Sequence, residues 1–529
     1  MNNTCWWKKG VIYQIYPRSY QDTTGNGIGD LAGIIKKLPY LNDLGIDAIW
    51  INPFFTSPME DFGYDISDYY SVDSLFGKNE DVLKLITSAH DRNIKVIFDL
   101  VLNHTSIQHP WFVESRSSLD NPKRDWYVWH DTIPNNWESI FGGSSWSRCS
   151  ITGQYYYHSF LPSQPDLNLR NPEVVDELCQ IVRHYLELGV DGFRLDAVNT
   201  FYEDAELRDN PIRPFCEDTH CDIVKLRKYD FDQSDTFDLL AVFKDTLCEY
   251  EDRLLFGEVS NLSADPDAWR KYYGVNKDGL DIAMNFDLLY GTLTKSRILE
   301  SINKWEALPK GKWPSYALGS HDQIRFPSRL NLAFKPDSIH SHKNAIKLLS
   351  TFLLTVRGTP LIYYGDEIGM EEYTDLAESQ IRDPWAIREQ YRVPTRDGCR
   401  TPMLWDGTKN AGFTASDSTW LPIHSSYPDC NVDKQLANPG SILNHYKKLL
   451  SIRKNNISLQ LGCLELVEEF DQAISYRRIY GDSEVMVILN MSIDEPISLK
   501  NMGNLLYSNE FDPSTKTLKP QGFVLYETI

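Results

Sequence analysis

The chain has 529 residues, which is too long for one ordinary domain but suits a large barrel with insertions and one extra domain. Its composition, 42% hydrophobic and 24% charged, is that of a folded protein. A formal net charge of −21 argues against binding to nucleic acid or to anionic membranes, since both favour basic surfaces. No run of apolar residues is long enough to predict a secretory signal or a membrane span.

Short apolar segments rich in β-forming residues alternate with helical patterns along most of the chain. The predicted strands are 11–17, 46–53, 94–102, 190–196, 254–259, 280–286, 314–319 and 358–364. The predicted helices are 31–44, 79–92, 172–188, 235–251, 287–305, 342–356 and 439–454. Eight βα units predict an α/β protein built on a (β/α)8 TIM barrel. The alternative, a doubly wound open sheet, would rarely need eight strands without a glycine-rich phosphate loop after the first.

Two long segments interrupt this alternation. Residues 104–170, between the third strand and its helix, are too many for a loop and predict a small inserted domain. Residues 368–435 form an excursion after the eighth strand, where barrels carry active-site loops. From about residue 457 short strands alternate without helices, which predicts an all-β C-terminal domain. The predicted domains are the barrel (1–103 and 171–455), the inserted domain (104–170) and a C-terminal β-sandwich (456–529).

The nine cysteines are odd in number and scattered. The closest pair, Cys216 and Cys221, matches neither a zinc pattern nor a CxxC motif. Reduced thiols are therefore expected, which favours a cytoplasmic protein. The pattern makes no prediction of oligomeric state.

Four of the apolar segments end in an acid: Asp99, Asp196, Glu258 and Asp322. Buried strands offer such acids no packing role, and the ends of parallel barrel strands meet at one face, so a shared pocket is expected. Arg194 lies two residues before Asp196 on the same strand face and should hold this acid ionised, as a nucleophile requires. Glu258 has no neighbouring cation in sequence, so a raised pKa and a general-acid role are expected.

Two such carboxylates at a separation of about 5 Å are the arrangement of a retaining glycosidase. Any one of these acids could instead be a helix cap or a loop salt bridge. Four acids on the same face of a barrel argue against that interpretation for the set as a whole.

The motifs that carry these acids are DLVLNHT, GFRLDAV, GEV and HDQIR, accompanied by VIYQIYPRSYQD, QPDLN and GTPLIYYGDE. In order and spacing they resemble the alpha-amylase superfamily of glycoside hydrolases, in its alpha-glucosidase and oligo-1,6-glucosidase branch. The resemblance implies Asp196 as nucleophile, Glu258 as acid/base and Asp322 as the carboxylate that stabilises the transition state. It implies sugar-hydroxyl contacts from His104, Arg194 and His321, and leaves Asp99 a structural role beside the His104 loop. Ser320 departs from the family, which usually has Asn there.

DFGYDISDYY and RDGCRTPMLWD supply further positions by the same resemblance. Tyr64 is expected to stack under a bound glucose. Asp61 and Arg400 are expected to pair at the far end of the pocket, so that only a terminal glucose fits and the enzyme is exo-acting. The alternative is that Arg400 and Arg396 only order the loop. Two further positions match pocket aromatics, although either could simply pack the inserted domain: Phe141 and Phe160.

The loop DTTGNGIGD resembles a divalent-cation loop with oxygen ligands at alternate positions. The predicted ligands of a structural Ca²⁺ (or Mg²⁺) are Asp22, Thr24, Asn26, the Ile28 carbonyl and Asp30. Thr24 stands where Asn or Asp is commoner, and the alternative is a glycine-rich turn without metal. The chemistry itself is expected to need no cofactor.

Ala197, the residue after the nucleophile, narrows the expected substrate. In the branch resembled, Val at this position accompanies α-1,6 cleavage and smaller residues accompany α-1,4. The expected activity is therefore release of α-D-glucose from short α-1,4 glucosides, with transglucosylation possible. FYEDAELRDNP further resembles proteobacterial-type alpha-glucosidases.

Two alternatives remain open. A sucrose- or trehalose(-6-phosphate)-acting enzyme would share the catalytic residues. A non-enzymatic scaffold is disfavoured because the acid set is intact.

Overall fold

The structure, a computed structural model, describes residues 5–212, 226–260, 265, 267–275, 278–334, 339–390, 393–500 and 502–528. Its centre is an eight-stranded parallel sheet. The strands are β1 (Ile12–Ile15), β2 (Ala48–Ile51), β3 (Lys95–Leu100), β4 (Gly192–Leu195), β5 (Leu254–Gly257), β6 (Ile282–Ala283), β7 (Ser315–Ala317) and β8 (Thr359–Tyr363). Each of the eight coincides with a predicted strand. Cys216 and Cys221 lie outside the described residues.

The strands pair in the order β6-β5-β4-β3-β2-β1-β8-β7, which is the cyclic order of a barrel. All these pairings are parallel. Residues 99 and 194 are register partners between β3 and β4, and residues 195 and 257 are partners between β4 and β5. Because the carboxyl ends align, residues that follow these strands meet at one face. The predicted (β/α)8 barrel is confirmed.

Seven longer helices follow or surround the strands close to their predicted positions: Leu31–Leu44, Asn79–His90, Pro172–Glu187, Asp235–Cys248, Lys295–Glu306, Ile339–Thr355 and Ile442–Asn455. One helix begins later than predicted from the pattern at 287–305. Thr294 caps it by accepting from the Arg297 N–H, so the preceding residues stay in the loop after β6. A further helix, Phe326–Phe334, follows β7.

Short helical turns occur in the connections. The α-helical ones are Trp6–Lys9, Pro17–Tyr20, Pro110–Ser115, Ala268–Lys271, Pro384–Arg388, Val432–Leu436 and Ile457–Leu461. The 3₁₀ turns are Arg124–Trp126, Val198–Thr200, Asp366–Ile368, Glu378–Gln380, Arg396–Arg400 and Lys409–Gly412. Three of these turns lie beside the candidate site, at 198–200, 384–388 and 396–400.

The segment between β3 and its helix contains a small antiparallel sheet of Trp129–His130, Trp146–Arg148 and Tyr155–Tyr157, with the last strand in the middle. A separate hairpin of Phe55–Thr56 and Asp68–Val72 follows β2. The sequence pattern did not predict this hairpin. It encloses the DFGYDIS loop and so presents both Asp61 and Tyr64.

The C-terminal region forms one connected antiparallel sheet. Its strands are β9 (Cys463–Leu466), β10 (Ala473–Tyr480), β11 (Ser483–Asn490), β12 (Ile497–Ser498), β13 (Asn504–Asp512) and β14 (Thr517–Glu527). Buried Arg478 in β10 donates to the Thr355 carbonyl, which joins this sheet to a barrel helix. An antiparallel C-terminal domain is confirmed, while the exact domain boundaries stay predictions. Within the described residues, no helix is both long and apolar enough to cross a bilayer.

Candidate active site

The four acids predicted from the strand ends lie at the carboxyl face of the barrel. Asp99 is near the end of β3, Asp196 and Glu258 directly follow β4 and β5, and Asp322 lies in the loop after β7. Each follows a short run of buried residues, so the apolar core of the barrel positions the carboxylates by fixing the strands. The structure thus brings together residues separated by more than two hundred positions.

Arg194 lies at the centre of this cluster and is 1% exposed. Its Nη1 donates to Asp99 Oδ1 and to Asp196 Oδ1, each at 2.7 Å. Its Nη2 donates to Glu258 Oε2 at 2.5 Å. The guanidinium also lies over the Trp50 ring, 5.2 Å from its centroid. One cation therefore holds the two expected catalytic carboxyl groups and a third acid in fixed positions.

Asp99 is a structural member of the cluster. Its Oδ2 accepts from Trp50 Nε1, Asn52 Nδ2 and Tyr64 OH, at 3.2, 3.2 and 3.1 Å. With both oxygens occupied, this carboxylate orients the Arg194 guanidinium and the Tyr64 phenol. The structural role expected for Asp99 therefore consists in holding the side chains of Arg194 and Tyr64.

Burial dominates the acidity of the two expected catalytic groups. It raises the pKa of Asp196 to about 7, against the opposing charge of Arg194. Burial likewise raises the pKa of Glu258 to about 7, again opposed by Arg194. The sequence expectation for Glu258 agrees with this direction. Arg194 lowers the pKa of Asp196, the direction expected from the sequence, but burial outweighs it, because one guanidinium is divided among three buried acids.

Asp322 has the opposite character. Arg400 Nη2 donates to its Oδ1 at 2.7 Å, and Arg396 Nη1 donates to the same oxygen at 3.3 Å. Burial alone would raise the pKa of Asp322, but the adjoining His321 ring and the Arg396 and Arg400 guanidinium groups outweigh it and hold this pKa far below its usual value. Asp322 is therefore a permanent carboxylate.

His321 connects Asp322 to Tyr64. Its Nδ1 lies 2.8 Å from Gln14 Nε2, an amide donor, and its Nε2 lies 2.7 Å from Tyr64 OH and 3.1 Å from Asp322 Oδ2. These partners assign the proton to Nε2. Burial lowers the pKa of His321 to about 3, so the imidazole is neutral. The Tyr64 ring stacks on it at 5.6 Å and 7°.

The far end of the cluster is closed by Asp61, Gln164, Asp383 and Arg396, which we call the back wall. Arg396 Nη2 donates to Asp61 Oδ1 at 3.2 Å, and Gln164 Nε2 donates to Asp61 Oδ2 at 3.1 Å. Asp61 was expected to pair with Arg400. Among the described residues its ion pair is with Arg396, because Arg400 is taken by Asp322 and by the His321 carbonyl.

Aromatic side chains of the inserted domain border the back wall. Phe160 packs on His104, and Phe141 packs on Phe160, with centroid distances of 5.1 and 5.7 Å. The Arg396 guanidinium lies 5.1 Å from the Phe141 ring centroid, which places Phe141 at the site itself. His104 Nε2 is 3.0 Å from the Tyr64 carbonyl, and burial lowers the pKa of His104 to about 4. His104 is therefore neutral and joined to the Tyr64 loop.

Four participants were not predicted from the sequence: Gln14, Asn52, Gln164 and Asp383. Gln164 opens the QPDLN motif, so that motif could have indicated it. Gln14 and Asn52 lie at or after the ends of β1 and β2 and could have been found by the same strand-end reasoning as the acids. Asp383 follows no strand and has no local signal.

Ala197 adopts a left-handed backbone conformation, with φ of 46° and ψ of 43°. Its N–H donates to Glu258 Oε2 at 3.1 Å. Such a conformation disfavours residues with a bulky or branched Cβ. The residue after Asp196 thereby helps to orient Glu258.

The candidate cation loop has oxygen donors of the type that Ca²⁺ prefers. Gly25 and Gly27 adopt positive φ of 75° and 83°, which permits the tight turn. The Asp22 carboxylate accepts from the Gly25 and Gly27 N–H groups, each at 2.8 Å, so a bound ion would share these oxygens with the loop. No group of three His, Cys, Asp or Glu side chains suited to a metal occurs within the described residues. The predicted set has only two acids, Asp22 and Asp30, and its other donors are hydroxyl, amide and backbone carbonyl oxygens.

The barrel and its buried, arginine-bound carboxylates define a glycoside hydrolase. The chain belongs to the alpha-amylase family, since the model of its catalytic domain matches residues 14–462. A probable alpha-glucosidase of Rhizobium meliloti (strain 1021) is 42% identical over 508 residues, covering 92% of this chain and 89% of the relative. An oligo-1,6-glucosidase of Parageobacillus thermoglucosidasius is 38% identical over 529 residues, covering 93% and 91%.

Among solved structures, the alpha-glucosyl transfer enzyme XgtA is similar with a TM-score of 0.91 and 36% identity, covering 100% of both chains. These similarities confirm the resemblance to the alpha-glucosidase and oligo-1,6-glucosidase branch. They also confirm that the protein is an enzyme rather than a scaffold.

Proposed function

We propose that the protein is a retaining, exo-acting alpha-glucosidase that releases α-D-glucose from the non-reducing end of short α-1,4 glucosides. The observation that carries the proposal is that Asp196 and Glu258 share the Arg194 guanidinium in front of a closed back wall. Two carboxyl groups on one guanidinium suit the short separation of about 5 Å used by retaining glycosidases.

Asp196 attacks the anomeric carbon while Glu258 donates its proton to the departing glycosidic oxygen. A pKa of about 7 leaves Glu258 protonated in a large fraction of molecules at neutral pH, as a general acid requires. The Glu258 proton and the Asp196 charge favour one another, because two ionised carboxylates on one cation repel. Glu258 then takes a proton from a water molecule whose oxygen attacks the anomeric carbon. This attack breaks the bond to Asp196 and releases glucose with its α-configuration retained.

Asp322 stabilises the positive charge that develops on the sugar ring. It is suited to this because Arg396 and Arg400 keep it ionised throughout the reaction. Tyr64 offers a ring held by stacking on His321. His104 and His321, both bonded to Tyr64, lie beside that ring as the proposed contacts to sugar hydroxyls. These neutral imidazoles add no charge that would oppose the transition state.

The exo mode follows from the back wall. Asp61 is 4% exposed and is held by hydrogen bonds from Gln164 and Arg396. A saccharide that extended past its terminal glucose would have to displace this buried ion pair, which is costly. The pocket should therefore admit one glucose unit beyond the scissile bond.

Ala197 supports a preference for α-1,4 linkages over α-1,6. Its left-handed backbone places only a methyl group beside Glu258, where a leaving sugar must lie. Transfer to an acceptor hydroxyl in place of water is a second candidate activity. It is favoured by the similarity to the alpha-glucosyl transfer enzyme, because the same Glu258 base would serve both acceptors.

We further propose that Asp22, Thr24, Asn26, the Ile28 carbonyl and Asp30 hold a structural Ca²⁺ or Mg²⁺. The all-oxygen donor set and the glycine turns support this. When bound, the ion would stabilise the loop by neutralising its acids. No catalytic step depends on it, and the reaction needs no other cofactor.

The decisive experiment compares kcat/KM on maltose, isomaltose, sucrose, trehalose and trehalose-6-phosphate, with the anomeric form of the first product followed by NMR. Maltose should be the best substrate, and α-glucose should appear before mutarotation. Preference for sucrose or a trehalose would replace the proposed substrate. Initial β-glucose would exclude retention.

A further inference from the structure

Asp383 is an acid of the excursion after β8 and is fully buried. Its Oδ1 accepts from Arg396 Nη2 at 2.7 Å, and its Oδ2 accepts from the Arg396 backbone N–H at 2.8 Å. Arg396 Nε lies 3.1 Å from both oxygens. Asp383 also caps the helix Pro384–Arg388 by accepting from the Trp385 N–H. The carboxylate therefore holds both the backbone and the side chain of Arg396.

The bonds to Asp383 determine where the remaining N–H donors of Arg396 point. A guanidinium has five N–H donors in a rigid plane. Nε and one N–H of Nη2 bind Asp383, the other N–H of Nη2 binds Asp61, and one N–H of Nη1 binds Asp322. Among the described residues, the other N–H of Nη1 has no hydrogen-bond partner and can bind a ligand hydroxyl. Because the plane is rigid, the bonds to Asp383 fix where all the others point.

We infer that Asp383 is a positioning residue that fixes Arg396 between Asp61 and Asp322, and so sets both the closure of the back wall and the affinity for the terminal sugar. This inference rests on the proposed function, which supplies the sugar. It is a role exerted through Arg396, since Asp383 has no exposed surface with which to touch a ligand.

A cleft next to the back wall gives its closure a consequence for the substrate. A cleft of about 560 Å³ lies between the inserted domain and the helix Pro384–Arg388, and Glu60, Ser163 and Pro384 are among its lining residues. These three are the direct sequence neighbours of Asp61, Gln164 and Asp383. The cleft therefore lies directly beside the residues of the back wall. If Arg396 loses its position, an extended saccharide chain can enter this cleft.

Asp383→Asn is the informative substitution. Asn caps a helix as well as Asp does, so the turn at 384–388 is retained. The Asn amide, however, carries no charge, and its N–H donors face a guanidinium, which has no hydrogen-bond acceptor. Asp383→Glu restores the charge and serves as the conservative variant.

The matched control is Asp191→Asn. Asp191 is also a buried, ion-paired acid, held by Lys95 and Arg253, but it precedes β4 at the opposite end of the barrel. The substrates are 4-nitrophenyl α-glucoside and a 4-nitrophenyl maltotrioside whose terminal glucose is blocked at O4 and O6 by an ethylidene group.

Asp383→Asn should raise KM for 4-nitrophenyl α-glucoside about tenfold, with a smaller change in kcat. It should also hydrolyse the blocked substrate, which wild type and Asp191→Asn reject, and Asp383→Glu should recover part of the wild-type KM. An unchanged KM with continued rejection of the blocked substrate overturns the inference. A fall in kcat and a rise in KM equal to those of Asp191→Asn would also overturn the inference.

Wild-type turnover of the unblocked substrate tests the proposed function separately. If wild type is inactive, a crystal structure of Asp383→Asn still decides the positioning role. Arg396 that remains bonded to Asp61 and Asp322 in that structure would contradict it.

Discussion

Ala197 donates its backbone N–H to Glu258 Oε2 while its own φ is 46°, so the residue after the proposed nucleophile directly orients the proposed acid/base. Backbone strain and the orientation of Glu258 therefore both depend on Ala197. The left-handed conformation costs an alanine on the order of 1–2 kcal/mol and a β-branched residue more.

Ala197→Val should therefore lower both stability and activity on maltose. We expect the melting temperature to fall by about 1–2 °C and kcat/KM for maltose to fall about tenfold, with a smaller loss on isomaltose. The measurement is the ratio of kcat/KM values for the two disaccharides. Ala197→Gly serves as the control, since glycine accepts positive φ and should keep the wild-type ratio. An equal loss on both substrates would remove the link between Ala197 and linkage preference.

Asp196→Asn should abolish turnover without unfolding the protein. The amide keeps the size of the side chain and an oxygen for Arg194, but it cannot attack the anomeric carbon. We expect kcat on 4-nitrophenyl α-glucoside to fall by about 10⁴-fold or more, with an unchanged circular dichroism spectrum. Residual activity within tenfold of wild type would move the nucleophile to another acid.

Stability should depend on pH through the same two acids. Burial raises the pKa of both Asp196 and Glu258 to about 7 in the folded protein, above the values of unfolded chains near 4. Their stabilising contribution is therefore full below about pH 4 and is lost as pH rises through about 7.

Glu258→Gln removes one of these titrations. The melting temperature of the variant minus that of wild type should be more positive at pH 8 than at pH 5. Differential scanning fluorimetry at the two pH values measures this difference. A difference that does not change with pH would mean that Glu258 titrates normally.

If the loop at 22–30 binds a metal ion, the melting temperature of the protein should depend on that ion. Added calcium should raise the melting temperature of chelator-treated protein, by an increment that grows with the logarithm of its concentration above Kd. Asp22→Asn should weaken that response. If chelator and calcium leave the melt of wild type unchanged, the loop is a glycine turn without metal.

The sequence predicted the parts of the site that depend on one strand at a time. A buried strand, its terminal acid and the residue two positions earlier are local features, so Asp196, Glu258 and Arg194 could be found from spacing. The partner of Asp61 could not, because Arg396 and Arg400 lie one turn apart and only the fold decides which one reaches it. Asp383 was missed for the same reason: its importance lies in a contact with Arg396, in a loop without strand-end pattern.

The acidity of Asp196 shows a second limit of sequence reasoning. An arginine two residues away indicates a neighbouring positive charge but not how many acids share it. Asp99 and Glu258 reach the same guanidinium from β3 and β5, and that number is known only once the three strands are placed side by side.

The register between Asp99 and Arg194 has a consequence for how the enzyme becomes active. The two residues are direct partners across β3 and β4, and β5 continues the same register. A slip of one residue would turn Arg194 to the other face of the sheet and leave the acids without their cation. During refolding, recovery of turnover should therefore follow the pairing of these central strands and never precede it, so that activity reports the assembly of the barrel itself.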